Sequence, residues 1–432
     1  MKEVYEKLYK KIDELANESI TLLKKLVQEK SVQGKESNAQ AIVIEKLRQL
    51  GLELDIYEPS KKDLQHHQYF VTNRDSFSGS SNVVAISRGT GGGKSIILNG
   101  HIDVVPEGDM SKWKYDPYLG VIEDGKLYGR GSTDMKGGNV ALILALEAII
   151  SSGVKLKGDV IFQSVIDEEA GGAGSLSTIL RGYRADAALI PEPTNMKLFI
   201  KQQGSMWFRV IVKGKSAHGG TRYEGVSALD KAITVNNRIL ELEKIRNSKV
   251  NDSHYKDNPI PFPINIGVIK GGNWPSSVPD EVVLEGRIGV APNEFLHDVR
   301  KELELFLTEL QIHDDWFYEH PVTIEWFGAH WIPNEIAKDH PFVELVTKQY
   351  QEVYQDSIEI GASPWGTDAG LYGVVANIPA LVIGPGETKV AHYHNEFIVV
   401  DEVITAAKMF AIVIAEWCGV SEKKVKKNDS NI

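Results

Sequence analysis

An α/β fold, with helices flanking a mostly parallel sheet and a smaller α+β unit inserted into it, is predicted from three observations. Short apolar runs alternate with helix-period segments over residues 1–202 and again over 329–432. Residues 203–328 have a different texture, with four alternating strand patterns and two amphipathic helices, enough for a small α+β sandwich. The chain is 432 residues long, more than one ordinary domain needs, so two cores are expected.

Apolar residues recur at helical spacing over 3–29 (Tyr5, Leu8, Ile12, Leu15, Ile20, Leu23, Val27), predicting one or two amphipathic helices. A second helical pattern over 38–51 stops at Gly51, a suitable C-terminal cap. Residues 61–82 form a polar excursion, and its His66 and His67 read as surface loop. Buried strands are predicted at 82–87, 95–100, 159–165 and 186–190, with an apolar helix at 140–150. The stretch GTGGGKS (89–95) fails the phosphate-loop spacing because Lys94 arrives one place early; it reads as a hairpin turn between two strands. In the inserted unit, SMWFRVIVKG, NIGVIKGG, DEVVLEGRIGV and PVTIEWFG (321–328) are strands, and 226–242 and 293–310 are helices. Trp207, Trp274 and Trp326 read as core there. The helix–strand pattern resumes at 341–383, a helix follows at 401–417, and the polar tail EKKVKKNDSNI is expected to fray.

Composition narrows the function. Hydrophobic residues are 42% and charged residues 25%, ordinary for a globular protein. A formal net charge of −11 argues against a general nucleic-acid partner, which needs a positive surface. Cys418 is the one cysteine, so neither a disulfide framework nor a thiolate metal site can be built within the chain. The charged N-terminus lacks a signal-peptide core, and no stretch approaches the ~18 apolar residues of a membrane span. A cytoplasmic location is expected.

The chemistry is expected where strands end, since reactive groups in α/β folds collect at the carboxyl edge of the sheet. His101 and Asp103 follow an apolar strand; His101 can offer a ring nitrogen to a divalent ion, and Asp103 is placed to hold that ring in one tautomer. Asp134 lies in a glycine-rich turn before the long apolar helix, where an N-cap is the structural alternative. Glu168 and Glu169 sit side by side at another strand end, and their repulsion calls for a cation or a proton. Glu192 stands between two prolines, and His392 and His394 flank Tyr393 near Asn395 and Glu396. Each cluster alone has a structural explanation. Five at successive strand exits do not.

The order GHIDVVP, GRGSTDMKGG, DEEAGG, PEPT and HYHNE resembles the M20 family of metallopeptidases and amidohydrolases, and is most similar to its acetylornithine deacetylase and succinyl-diaminopimelate desuccinylase branch. The likeness extends from about residue 15 to 417. It implies a zinc-peptidase-like catalytic domain with an inserted lid that also serves as a dimerisation surface. It further implies two divalent ions, Zn²⁺ first and Co²⁺ or Mn²⁺ as alternatives, bridged by Asp134. His101 and Glu192 would hold one ion, Glu169 and His392 the other; His394 fits that pattern less well. Glu168 matches the general base, and Asp103 the residue that orients His101. His218, in GKSAHGG, matches a lid histidine that reaches the partner subunit's active site to stabilise an oxyanion. Arg287 matches a substrate-carboxylate position, Asn273 is a weaker substrate contact, and Trp365–Gly370 resembles a pocket-lining loop. The implied reaction is deacylation of a small N-acyl amino acid or diamine, with deformylation of an N-formyl aminomethylpyrimidine or cleavage of di- and tripeptides as alternatives. No nucleic acid or membrane takes part, and a homodimer through the lid is expected.

Overall fold

A computed structural model describes residues 1–421; the tail expected to fray, 422–432, lies outside the described residues. The N-terminal pattern is one helix, α1 (Lys2–Gln28), followed by α2 (Ser37–Gln49), β1 (Glu53–Tyr57) and the short α3 (Lys61–Leu64). Next come β2 (Asn82–Ser87), β3 (Ile96–His101), the small pair β4 (Val121–Glu123) and β5 (Lys126–Tyr128), and α4 (Gly137–Ser151). Then follow β6 (Val160–Val165), α5 (Ala173–Leu180), β7 (Ala188–Ile190) and β8 (Leu198–Gln202).

The chain then builds a separate four-stranded sheet. It comprises β9 (Gly204–Lys213), α6 (Ala228–Ser248), β10 (Ile264–Gly271), β11 (Glu281–Val290), α7 (Leu296–Thr308), the short α8 (Leu310–His313) and α9 (Asp315–Glu319), and β12 (Thr323–Trp331). All pairings in it are antiparallel, in the order β10-β11-β9-β12. Strand β12 runs to Trp331, three residues past the expected boundary at 328, because the bulge between Phe327 and His330 lets the strand continue. The remainder is β13 (Asn334–Glu335), α10 (Pro341–Tyr354), β14 (Ile360–Ser363), β15 (Ala380–Val382), β16 (Phe397–Val399) and α11 (Val400–Cys418).

The large sheet runs β1-β2-β6-β3-β7-β15-β8-β13, with β14 also on β8. Its centre, β6-β3-β7-β15, is parallel and fully buried, as the near-continuous apolar runs predict. The outer pairings β1-β2, β2-β6, β15-β8 and β13-β8 are antiparallel. One expectation is corrected: β2 and β3 are not a hairpin, since β6 lies between them. Their connection instead docks on the chain entering β6, with Thr90 and Gly91 N–H donating to the Leu156 and Lys157 carbonyls at 2.9 Å.

Alternation along β3 shows how both faces are covered. Asn99 turns to α5 and donates to Ser175 Oγ at 2.9 Å, whereas Gly100 faces α4, where a Cβ would lie 1.8 Å from Asn139 Oδ1. Residues 137–149 of α4 are all buried, between the sheet and the helices α1 and α11. Burial of Leu142, Ile143, Leu144, Leu146 and Ile149 contributes about 1.5–3 kcal/mol each, which fixes the turn preceding α4 against the sheet edge. Among the described residues no helix is long and apolar enough to cross a membrane.

Candidate active site

Because β3, β6 and β7 are parallel neighbours, the residues following them emerge on one edge. His101 closes β3 and is 1% exposed. Its Nε2 lies 3.2 Å from Asp134 Oδ1 and 3.8 Å from Glu192 Oε2. The second imidazole, His392, places Nε2 2.9 Å from Glu169 Oε1 and 3.1 Å from Asp134 Oδ2. Asp134 therefore touches both imidazoles, one with each oxygen. His392 has φ +59°, a left-handed conformation that a histidine adopts at some cost and that aims its ring inward.

The turn after β6 begins with Asp167 at φ +66° and carries Glu168 and Glu169 in a single 3₁₀ turn. The structure separates the roles of the Asp103 backbone and side chain. Its carbonyl, not its carboxylate, receives the His101 Nδ1 contact at 2.8 Å, while the carboxylate oxygen is 3.8 Å away. The carboxylate instead accepts the Glu168 and Glu169 N–H groups at 3.3 and 3.1 Å. Its orienting effect thus falls on the acidic pair as well as on the histidine.

Burial and mutual repulsion set the electrostatics. Burial, with Glu169 and other carboxylates nearby, pushes Asp103 up to about 8. Burial likewise pushes Glu192 up to about 7, and raises Glu168 well above the usual carboxylate range. The Glu169 charge, with Asp134 behind it, pushes His392 up to about 12. Burial opposes a charge on His101, yet its contacts with Asp134 and Glu192 outweigh that and raise it. Among the described residues no lysine or arginine pairs with Asp134, Glu168, Glu169 or Glu192, so two imidazoles face four carboxylates. His101, Asp134 and Glu169 group closely enough to hold one metal ion, as do His101, Glu168 and Glu192.

A cavity of about 440 Å³ opens over this cluster, walled by Trp207, Trp331 and Trp365, with Arg287 at its side. Trp207 was expected in the core; it faces the cavity because it sits on the outward-alternating face of β9. Trp274 is corrected too, being 69% exposed, while Trp326 packs on Phe208 beneath Arg300. Among the described residues Arg287 Nη2 has only a long 3.4 Å contact, to Gln203 Oε1, and burial holds its guanidinium below its ordinary value. Asn273 is exposed beyond β10 and does not line the cavity. His218 is exposed as well; its Nδ1 accepts the Gly220 N–H at 3.1 Å, and it does not line this chain's cavity. His394 packs edge-on to Trp113, outside the cluster.

Three further side chains complete the site: Glu396 and Asp368, in marked stretches but with no role assigned from sequence, and Trp331, which no motif marks. Glu396 is fully buried, accepts the Thr133 and Asp134 N–H groups, and pairs with Arg130 at 2.6 Å. Asp368, within the Trp365–Gly370 loop, is buried and bonded to Ser175. Trp331 Nε1 donates to Glu168 Oε1 at 3.0 Å.

A parallel-centred α/β sheet bearing a buried carboxylate–imidazole cluster at its edge, under a small antiparallel sheet, defines a metal-dependent amidohydrolase. The chain belongs to peptidase family M20/M25/M40, whose model matches residues 97–416. It is 31% identical to the N-formyl-4-amino-5-aminomethyl-2-methylpyrimidine deformylase of Bacillus subtilis, over 96% of this chain and 98% of that one. A probable succinyl-diaminopimelate desuccinylase of Staphylococcus epidermidis is 27% identical, over 71% of this chain and 79% of that one. The fold is similar to the M20 metallo-carboxypeptidase Sso-CP2 of Sulfolobus solfataricus, with TM-score 0.74 and 16% identity over 93% of this chain and 99% of that one.

Proposed function

We propose that this enzyme removes a small acyl group, formyl first, from an aminomethyl-bearing aromatic heterocycle. The observation that carries the reading is the cavity wall: Trp207, Trp331 and Trp365 offer flat apolar faces to a planar ring beside the carboxylate–imidazole cluster. The 31% identity to a pyrimidine deformylase over nearly the whole chain supports the same class.

The donor set fits two divalent ions, because among the described residues the side chains of Asp134, Glu169 and Glu192 pair only with imidazoles, and both Nε2 atoms face them. His101, Asp134 and Glu192 would hold one, and Asp134, Glu169 and His392 the other; without sulfur ligands, Zn²⁺ suits the set, then Co²⁺ or Mn²⁺. Bound there, the ions acidify water and polarise the acyl carbonyl. Glu168 takes the proton of the attacking water at its carboxylate and passes it to the leaving amine nitrogen. Asp103 steadies Glu168 through the turn amides and His101 through its own carbonyl.

His218, away from its own cavity, would donate to the developing oxyanion of a second copy. Exposed Leu229, Ile233 and Leu240 on α6, and Val268 and Ile269 on the edge strand β10, supply an apolar face for that homodimer. Mixing His218→Ala with Glu168→Gln protein, each inactive alone, would then restore activity through one intact composite site; no recovery on mixing counts against the shared site.

A second reading rests on Arg287. A half-buried guanidinium with one weak partner suits a substrate carboxylate, as in an N-acyl amino acid. Steady-state assays of an N-formyl aminomethylpyrimidine, N-acetylornithine, an N-succinyl diamine and dipeptides, with metal supplied, decide between them. A kcat/KM for the formyl heterocycle at least tenfold above the others is expected; preference for a carboxylate substrate overturns the first reading in favour of the second. Glu168→Gln should retain metal and lose turnover, and full activity in that variant would exclude Glu168 as the base.

A further inference from the structure

We infer that Trp331 is a positioning residue for Glu168, coupling the reactive carboxylate to the inserted sheet; the inference rests on Glu168 being the base. Trp331 is the last residue of β12, where the chain leaves the small sheet for the large one. Its indole N–H donates to Glu168 Oε1 at 3.0 Å, within ordinary hydrogen-bond range. Glu168 is 6% exposed, and among the described residues its carboxylate has no other hydrogen-bond donor.

The choice of donor matters. An indole N–H donates and cannot accept, so it fixes one carboxylate oxygen without competing for the proton that Glu168 carries. The other oxygen stays free to meet water and, later, the leaving amine. A lysine or arginine here would neutralise the carboxylate and weaken it as a base, whereas the uncharged indole orients it at less cost in basicity.

The indole is itself held from three sides. Its Cβ lies against Gly366, where an added Cβ would come within 2.3 Å. Its ring packs on Trp207 of β9 at 6.4 Å between centroids, and its backbone pairs with Ser205. Movement of the small sheet therefore moves the donor that aims Glu168. The same ring also walls the cavity, so orientation of the base and shape of the substrate site share one side chain.

The test replaces Trp331 by β-(3-benzothienyl)alanine, which keeps the ring shape and exchanges N–H for sulfur. The isostere should lower kcat about 10- to 100-fold, the size expected for losing one hydrogen bond to a charged group, with KM within about twofold. Melting temperature and bound metal should match the parent. Trp331→Phe should show the same kcat loss and, having lost part of the wall, a raised KM. Full kcat in the isostere overturns the inference, as does a kcat loss explained by lost metal or a lowered melting temperature. Glu168→Gln is assayed alongside: if it stays active the base assignment fails, whereas an inactive Glu168→Gln beside a fully active isostere refutes only the role of Trp331.

Discussion

Glu396 and Asp134 stand 262 residues apart in the chain, yet the Glu396 carboxylate accepts the Asp134 N–H at 3.1 Å. The same oxygen accepts the Thr133 N–H, and the other oxygen holds Arg130. The turn that presents the shared carboxylate is thus pinned by a buried ion pair arriving from near the C-terminus.

Glu396→Gln keeps an oxygen for the two amides but leaves the Arg130 guanidinium, 2% exposed, without its countercharge. Breaking one side of a buried pair costs about 3–5 kcal/mol. A lower urea midpoint and reduced bound metal are expected, measured by denaturation and elemental analysis. An unchanged midpoint with full metal would show that the pair does not hold the turn.

Metal binding should stabilise the fold and expel protons. Burial keeps Glu192 protonated up to about 7, and the Glu169 charge keeps His392 protonated to about 12. Both must lose their protons to act as ligands. An ion at 100 times its Kd adds about 2.7 kcal/mol. Chelated protein should melt several degrees lower and recover with Zn²⁺, Co²⁺ or Mn²⁺. Calorimetry in two buffers of different ionisation enthalpy should show proton release, and a melting curve indifferent to chelator and ions would contradict the ligand set.

The residues legible in sequence were those that local rules place. His101, Asp134, Glu168, Glu169 and Glu192 follow strands or precede a long apolar helix, so the parallel centre of the sheet brings them to one edge. His392 joins them from a turn that only tertiary structure aims. What local rules do not assign depends on contacts between residues far apart in the chain: the hold of Glu396 on the Asp134 turn, and Trp331 against Glu168 from the end of a strand of the small sheet. Period-2 alternation marked Trp207 as facing one side of β9 but could not say that this side looks into the cavity. The assumed β2–β3 hairpin failed for a similar reason, since strand adjacency in a sheet is set by β6, which arrives later in the chain.

Arg287 separates the two substrate readings. Its guanidinium reaches the cavity and, among the described residues, has only a 3.4 Å contact to Gln203. Losing a hydrogen bond to a charged group costs about 1.5–3 kcal/mol, or roughly 10- to 100-fold. Arg287→Met should raise KM by that factor for any substrate bearing a carboxylate, and change it less than about threefold for a neutral formyl heterocycle. Equal losses on both substrates would mean that Arg287 shapes the cavity instead of binding charge.

Cys418 gives a pH dependence remote from the site. Its side chain is fully buried at the end of α11, and burial pushes the thiol up to about 12. In the unfolded chain a thiol ionises near 8.5. Between those values the unfolded state has released a proton that the folded state keeps, so rising pH favours unfolding by up to about 1.4 kcal/mol per pH unit. Below about pH 8.5 both states are protonated and this contribution is fully present. Urea denaturation of the parent and Cys418→Ala should therefore give curves separated by a constant amount up to pH 8.5, with the parent's advantage shrinking by about 2 kcal/mol by pH 10. Because the tyrosines and lysines are common to both proteins, their titration cancels in the difference. Parallel stability curves through pH 10 would show that the folded thiol ionises as freely as the unfolded one.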